Sequence, residues 1–208
     1  MQRTKKHLSV ARFLVFNPKI NMRKVVFQEF LSLDGYAADK DHSTKFFAAP
    51  EFSQESDEDL LKEMARFDTI LLGATTYRMF ADYWPSVDSG EQIVADKLNS
   101  IPKIVFSSTL KTAPWGKWPA ATIVADDAVS AIKKMKQLPG KDMVLWGSIS
   151  LAQDVMKANI IDEYQLRIVP VILGGGKLLF TERDQLDLKL TKSKSYPSGL
   201  LLAHYVER

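Results

Sequence analysis

Twice in this chain a short apolar run ends at a glycine and is followed at once by hydroxyl residues that open a helix. The two segments are Thr69-Ile-Leu-Leu-Gly73-Ala-Thr-Thr-Tyr77 and Met143-Val-Leu-Trp-Gly147-Ser-Ile-Ser-Leu151. A strand that turns into a helix in this way carries free backbone N–H groups and the positive end of a helix dipole past the edge of a sheet, which suits phosphate. Two such ends in one domain suit a dinucleotide. Glycine lets the backbone approach a ligand closely, while Thr75, Thr76, Ser148 and Ser150 offer an N-cap or a hydroxyl donor. Either junction alone is equally well explained as an ordinary helix start. If both face phosphate, valine at Gly73 or Gly147 is expected to block the anion and leave the fold largely intact.

Around these junctions, strand-like runs alternate with amphipathic helix patterns. Lys24–Ser32 reads as the first strand, turned outward by Leu33-Asp34-Gly35 into a polar loop reaching about Pro50. Ser53 or Ser56 then caps a helix whose apolar stripe is Leu60, Leu61, Met64 and Phe67. After Gly73 a helix presents Tyr77, Phe80 and Trp84 and stops at Pro85; a short helix over Gln92–Leu98 follows. Lys103–Phe106 and Thr122–Val124 are strands, and Asp126 or Asp127 caps a helix through Val129, Ile132 and Met135. Beyond the second junction the pattern changes: a long strand over Glu163–Leu173 carries Pro170, Gly174–Gly176 makes a turn, and Leu186–Leu190 and Leu200–Val206 form an antiparallel hairpin about Pro197-Ser-Gly199. The expected class is α/β, with a mostly parallel central sheet, an antiparallel C-terminal hairpin and helices on both faces.

Composition narrows the chemistry. A chain of 208 residues, 46% of them hydrophobic, is the right size for one domain. It has no cysteine, which removes disulfides, a thiol nucleophile and thiolate metal sites and is compatible with the cytoplasm. His7, His42 and His204 are too dispersed for a zinc motif, so no metal is expected. Residues 1–21 hold Arg3, Lys5, Lys6, Arg12 and Lys19 and no acid, so of the 28 basic residues 23 remain in the body, against 25 acidic. A body so near neutrality gives no electrostatic reason to expect nucleic acid. The basic segment reads as a dispensable extension before a domain over residues 22–208, an organelle transit peptide being the other reading of an acid-free stretch. No apolar run reaches the roughly 20 residues that cross a bilayer.

Six motifs then occur in order: Ser32-Leu33-Asp34-Gly35-Tyr36, Leu71-Leu72-Gly73-Ala-Thr-Thr-Tyr77, Tyr83-Trp84-Pro85, Lys103-Ile-Val-Phe-Ser107-Ser108, Trp146-Gly-Ser-Ile-Ser-Leu151 and Ile168-Val-Pro-Val-Ile-Leu-Gly-Gly-Gly176. Together they resemble the dihydrofolate reductase-like superfamily, in the branch of the C-terminal reductase domain of the riboflavin-biosynthesis deaminase/reductase and its stand-alone relatives. The resemblance spans roughly Met22 to Val206. It implies NADPH across the C-terminal edge of the sheet, with Gly73, Ala74, Thr75 and Thr76 at one phosphate-facing turn and Gly147, Ser148, Ile149 and Ser150 at the other. Ser107 and Ser108 match positions near the adenosine 2′-phosphate. Ala74 stands where the superfamily often has arginine, and Ser148 where folate-reducing members have a second glycine. The implied activity is hydride transfer to a small pterin- or pyrimidine-like heterocycle, in a cytoplasmic homodimer. A non-catalytic nucleotide-binding sensor or carrier is the competing reading.

Reduction also needs a proton, and two carboxylates are candidates for it. In folate reductases the acid lies about four helical turns before the Gly73 equivalent, which points to Asp57; yet acids in a first helical turn are also explained by dipole compensation. Asp34 sits at the mouth of the first strand, where the Asp of an Asp-Gly turn is often structural. Trp84, at a helix end, and Phe46, in the polar loop, are candidate substrate contacts or core residues. A chain starting at Met22 is expected to keep its thermal midpoint and cofactor affinity; a loss above about 2 kcal/mol in chemical denaturation would instead make residues 1–21 part of the domain.

Overall fold

Buried strands alternate their side chains between two covered faces, and that requirement organises the molecule. The computed structural model describes residues 22–181 and 185–208, so the basic extension lies outside the described residues. Strands β1 (Val25–Ser32), β2 (Tyr36–Ala38), β3 (Phe67–Gly73), β4 (Lys103–Phe106), β5 (Thr122–Val124), β6 (Asp142–Trp146), β7 (Glu163–Val169), β8 (Lys177–Leu178), β9 (Leu188–Ser195) and β10 (Leu201–Glu207) alternate with helices. The helices are α1 (Pro50–Ser53), α2 (Asp57–Met64), α3 (Ala74–Tyr83), α4 (Ala95–Ser100), α5 (Ala128–Lys136) and α6 (Ile149–Lys157). The main sheet has the order β5-β4-β3-β6-β1-β7-β10-β9, and β2 pairs with β8 in a small second sheet. Neighbours from β5 to β7 are parallel, whereas β10 runs antiparallel to both β7 and β9. The expected mixed sheet with a C-terminal hairpin is therefore present.

The apolar alternation divides the core. Val26, Ile70, Leu72 and Val144 pack with Met64 and Tyr77 on the face covered by α2, α3 and α4. Phe27, Leu71, Met143 and Leu145 pack with Ile132, Val155 and Met156 on the face covered by α5 and α6. A smaller apolar cluster, Val169, Tyr196, Leu200 and Leu202 with Phe30, Phe46 and Phe47, closes the edge beside the hairpin.

Some boundaries differ from the sequence reading for local reasons. Helix α2 stops at Met64 because the Ala65 and Arg66 amides fold back onto the Lys62 and Glu63 carbonyls, so Phe67 begins β3 instead of extending the helical stripe. Leu61 is consequently exposed. Strand β7 ends before Pro170, which has no N–H to give a ladder. Asp127, not Asp126, caps α5 by accepting the Ser130 amide at 2.8 Å. Among the described residues no helix is long and apolar enough to cross a membrane, and no His, Asp and Glu group gathers as a metal site.

Order and handedness set where a ligand can lie. The chain leaves β1 for α2 on one face and leaves β6 for α6 on the other, although β1 and β6 are adjacent. Such a reversal opens a crevice at the carboxyl ends of the strands. Leu145 is fully buried in the middle of β6, and Leu145→Ala is expected to destabilise the protein by about 2–5 kcal/mol through lost transfer energy and a residual cavity, read as a lower denaturant midpoint at unchanged slope.

Candidate active site

The two glycine junctions meet at that crevice and hydrogen-bond to each other. Gly73 ends β3 and its N–H donates to Ser148 Oγ at 2.7 Å. The Ser148 N–H donates to Thr76 Oγ1 at 2.8 Å, and its hydroxyl also donates to the Trp146 carbonyl at 3.1 Å. Two amides expected to face an anion are thus engaged inside the fold. Neither Gly73 nor Ser148 caps its helix with a side chain. In α6 the first turn closes with the Ala152 amide on the Ser148 carbonyl, so the Ile149, Ser150 and Leu151 amides precede it. Thr75 and Ser150 are exposed at the two helix starts, and Ala74 is half-buried beside them.

The glycines are not equivalent. Gly147 has φ +51, and a Cβ there would lie 3.2 Å from Thr76 Cγ2; Ser148 follows with φ 56. Any side chain at Gly147 would therefore strain the fold itself, which corrects the expectation that valine would act on a ligand alone. At Gly73 the backbone has φ −83, and a Cβ would only touch Ser148 Cβ at 3.4 Å. Ser107 and Ser108 follow β4 at the same sheet edge, but the Ser107 hydroxyl closes its own turn by accepting the Leu110 amide at 3.1 Å. Ser108 is exposed.

Of the two candidate acids, Asp34 is a clamp. Its carboxylate accepts the Ser32 hydroxyl at 2.7 Å, the Leu173 amide at 3.1 Å and the Gly174 amide at 2.8 Å, tying the turn after β1 to the loop after β7. The Ser32 bond in particular holds it below the ordinary carboxylate range. Asp57 opens α2 and is buried; burial pushes its carboxyl up to about 6, against the opposing pull of Arg167. Among the described residues it accepts no hydrogen bond. The hydroxyl oxygen of its neighbour Ser56 accepts the Arg167 Nε–H at 2.8 Å instead of capping the helix.

Aromatic side chains line the same face. Phe80 of α3 lies between Trp84 and Trp146, with ring centroids 6.2 Å and 6.3 Å away. Trp84 is half-buried, and its carbonyl accepts from Asn99 Nδ2 at 2.8 Å. Trp146 is oriented by a buried chain of amides: its indole N–H donates to Gln28, which donates to Gln165 Oε1 at 2.5 Å, which donates to Glu163 Oε1 at 2.6 Å. Phe46 packs edge-on against Phe47, and Phe47 stacks at 4.4 Å on Phe30. Phe46 thereby belongs to the apolar cluster that anchors its loop.

Residues 23–202 match the model of the RibD C-terminal domain. The chain belongs to that family. It is 26% identical over 189 residues to the uncharacterized protein YyaP of Bacillus subtilis (strain 168), covering 89% of this chain and 96% of the relative. A protein from Shewanella sp. PV-4 assigned to riboflavin biosynthesis shares the fold with a TM-score of 0.70 at 24% identity, over 89% of this chain and 99% of that one. Dihydrofolate reductase from Enterococcus faecalis, complexed with NADP(H), does so with a TM-score of 0.57 at 11% identity, over 89% and 96% of the two chains. The fold is therefore dihydrofolate reductase-like, and reductases stand among the structural relatives of this RibD C-terminal domain.

One acid of this RibD C-terminal domain escaped the sequence reading. Glu29 lies on β1 one residue beyond the last β1–β6 pair, Gln28 with Trp146, so its side chain reaches the crevice beside Gly147. Glu29 Oε2 is 3.8 Å from where a Gly147 Cβ would be, and Oε1 accepts the Phe30 amide at 2.9 Å. Burial pushes its carboxyl up to about 8, opposed by that amide and by Arg167, so it is largely protonated at neutral pH. The available signal was a glutamate inside an otherwise apolar strand, VVFQEFLS. A carboxyl whose pKa rises on folding stabilises the native state fully below its unfolded value of 4.5, and that contribution is lost as pH rises through about 8. Across this window the parent is expected to lose stability relative to Glu29→Gln, by no more than roughly 1.4 kcal/mol per pH unit, in denaturation curves collected at each pH. Parallel pH profiles for the two proteins would show that Glu29 is ionised in the fold.

Proposed function

We propose that this chain is an NADPH-dependent reductase of a small heterocyclic substrate, pterin- or pyrimidine-like. The observation that carries the reading is the pair of helix starts without side-chain caps, α3 and α6, held together at the sheet's switch point by the Gly73–Ser148 and Ser148–Thr76 bonds. First-turn amides with the exposed hydroxyls of Thr75 and Ser150 fit a pyrophosphate, which takes donors and a positive dipole end. Ala74 adds no guanidinium, so preference for a 2′-phosphate falls to Ser108, whose hydroxyl is exposed where that of Ser107 is engaged. When bound, NADPH would supply the hydride.

The chain's own groups then serve the substrate. Asp57 is a buried carboxyl near its midpoint at about pH 6, a condition suited to holding and delivering a proton near neutrality. Trp146, Phe80 and Trp84 provide apolar walls against which a flat ring packs and from which water is excluded. Glu29, being protonated, adds no negative charge beside the helix starts, so it does not repel a phosphate.

Excess NADPH is expected to raise the thermal midpoint, a hundredfold excess over Kd corresponding to about 2.7 kcal/mol. NADH should stabilise less, and Ser108→Ala should narrow the difference. Asp57→Asn should keep the NADPH-induced shift but lower turnover by about 10²–10⁴-fold once a substrate is found by screening NADPH oxidation at 340 nm with pterins and pyrimidines. Absence of any NADPH-induced shift in the parent protein would overturn the reading.

A further inference from the structure

Glu29 is a buried carboxyl with one oxygen that the fold leaves without a partner. The residue is only 9% exposed. By strand alternation it shares the α6 face of the sheet with Phe27 and Leu31, whereas Arg167, level with Phe30 in the β1–β7 register, lies on the opposite face. Oε1 accepts the Phe30 amide at 2.9 Å. Among the described residues, Oε2 has no hydrogen-bond donor and no cation within ion-pair distance. Nor is Oε2 sealed in, since the fully enclosed side-chain atoms without partners are Trp118 Nε1 and His204 Nε2.

That oxygen lies where the chain enters α6. It is 3.8 Å from the position of a Gly147 Cβ, which Thr76 Cγ2 also approaches to 3.2 Å. Gly147 leads through Ser148 into α6, whose Ile149, Ser150 and Leu151 amides precede the first helical bond. An ionised carboxylate beside a helix start is favoured by the dipole and by such amides, yet among the described residues none of the three donates to Glu29. Burial keeps the proton on instead, up to about pH 8. The groups brought beside it by β6, α3 and β7, namely Gly147, Thr76 and Leu166, do not titrate. Arg167 is the charged group whose field reaches it, favouring ionisation without outweighing burial. With its proton on, the carboxyl is a donor at Oε2. First-turn amides, the Ser150 hydroxyl and this O–H then form a set of donors only, and a buried donor without an acceptor is costly. The acceptor is expected to arrive with the ligand.

We propose that Glu29 is a ligand-binding residue whose carboxyl O–H donates to a phosphate oxygen of the bound dinucleotide, so that the site takes up a pyrophosphate together with one proton. The proton stays on Glu29 in a hydrogen bond to the anion. Once ionised, the same carboxylate would set like charge against the phosphate and offer it no donor, so binding is lost by repulsion as well as by a missing bond. The proposal rests on the nucleotide part of the reductase reading and goes beyond it in making cofactor binding proton-linked.

ADP-ribose carries the pyrophosphate but neither a nicotinamide nor a group that titrates between about pH 7 and 9.5, and it is titrated calorimetrically onto the full chain beside NADPH. Because the free carboxyl is pushed up to about 8, affinity for ADP-ribose is expected to stay level below that pH and to fall about 30-fold between pH 7 and 9.5. At about pH 9 close to one proton should be taken up per nucleotide bound, read from the dependence of the heat on the ionisation enthalpy of the buffer. Glu29→Gln, whose amide keeps a donor but cannot titrate, should bind with level affinity across this range and take up no proton. Glu29→Leu, without a donor, should bind about tenfold more weakly at neutral pH and show no pH dependence. Binding by the parent without proton uptake, or a fall in affinity that persists in Glu29→Gln, would overturn the proposal. If neither variant folds, proton uptake by the parent decides. Proton-linked binding of ADP-ribose with no NADPH oxidation in the presence of any heterocycle leaves Glu29 in this role and removes the reductase. NADPH oxidation without proton uptake on binding does the reverse, and binding of neither nucleotide overturns both.

Discussion

The hydrogen bonds from the Gly73 amide to the Ser148 hydroxyl and from the Ser148 amide to the Thr76 hydroxyl fasten the carboxyl ends of β3 and β6 to one another. The two strands send their helices to opposite faces of the sheet, so nothing else in the topology obliges those helix starts to face a common point. Left-handed Gly147 and Ser148 supply the sharp turn, and at residue 147 a side chain would be strained by the positive φ and crowded by Thr76. Strand order opens the crevice, and this fastening brings the two helix starts, with exposed Thr75 and Ser150, to one point along it.

Environment then assigns different states to the three acids of the sheet's carboxyl edge. Asp34 accepts three hydrogen bonds and stays ionised below the ordinary range. Asp57 is buried with one distant cation and is pushed up to about 6. Glu29, on β1 beyond its last pair with β6, is desolvated by burial and is pushed up to about 8. The same functional group therefore exists as an ionised structural clamp at Asp34 and as carboxyls pushed upward to different degrees at Asp57 and Glu29, with burial weighed against hydrogen bonds in each case.

A second layer of polar groups keeps the aromatic walls in place. Trp146 is aimed by Gln28, Gln165 and Glu163, and Glu163 is in turn held by Arg66 at 3.0 Å. Arg66 also binds Asp142 at the start of β6. The chain of bonds crosses β6, β1 and β7, so the strands that frame the crevice are tied laterally by side chains as well as by their backbones. A connected polar network of this kind rigidifies the groups it joins.

Much of the architecture was legible in the sequence. Apolar runs with glycine stops located the strands, helical stripes located the helices, and a run of leucines alternating with polar residues marked the hairpin, because these patterns are local and backbone hydrogen bonding turns them directly into elements. The two junctions, Thr75, Ser150 and the ambiguity of Asp34 and Asp57 could be read in the same way. Tertiary structure decided the rest: which junction amides are engaged and which precede the first helical bond, that Gly147 and not Gly73 must be glycine, that Glu29 holds its proton, and that Arg167 is paired with Ser56 and little else. Gly73 and Ser148 are 75 residues apart, and Arg167 and Ser56 are 111 apart. No local pattern encodes such pairings, because the burial and acceptor count of a side chain are properties of the space that distant segments enclose.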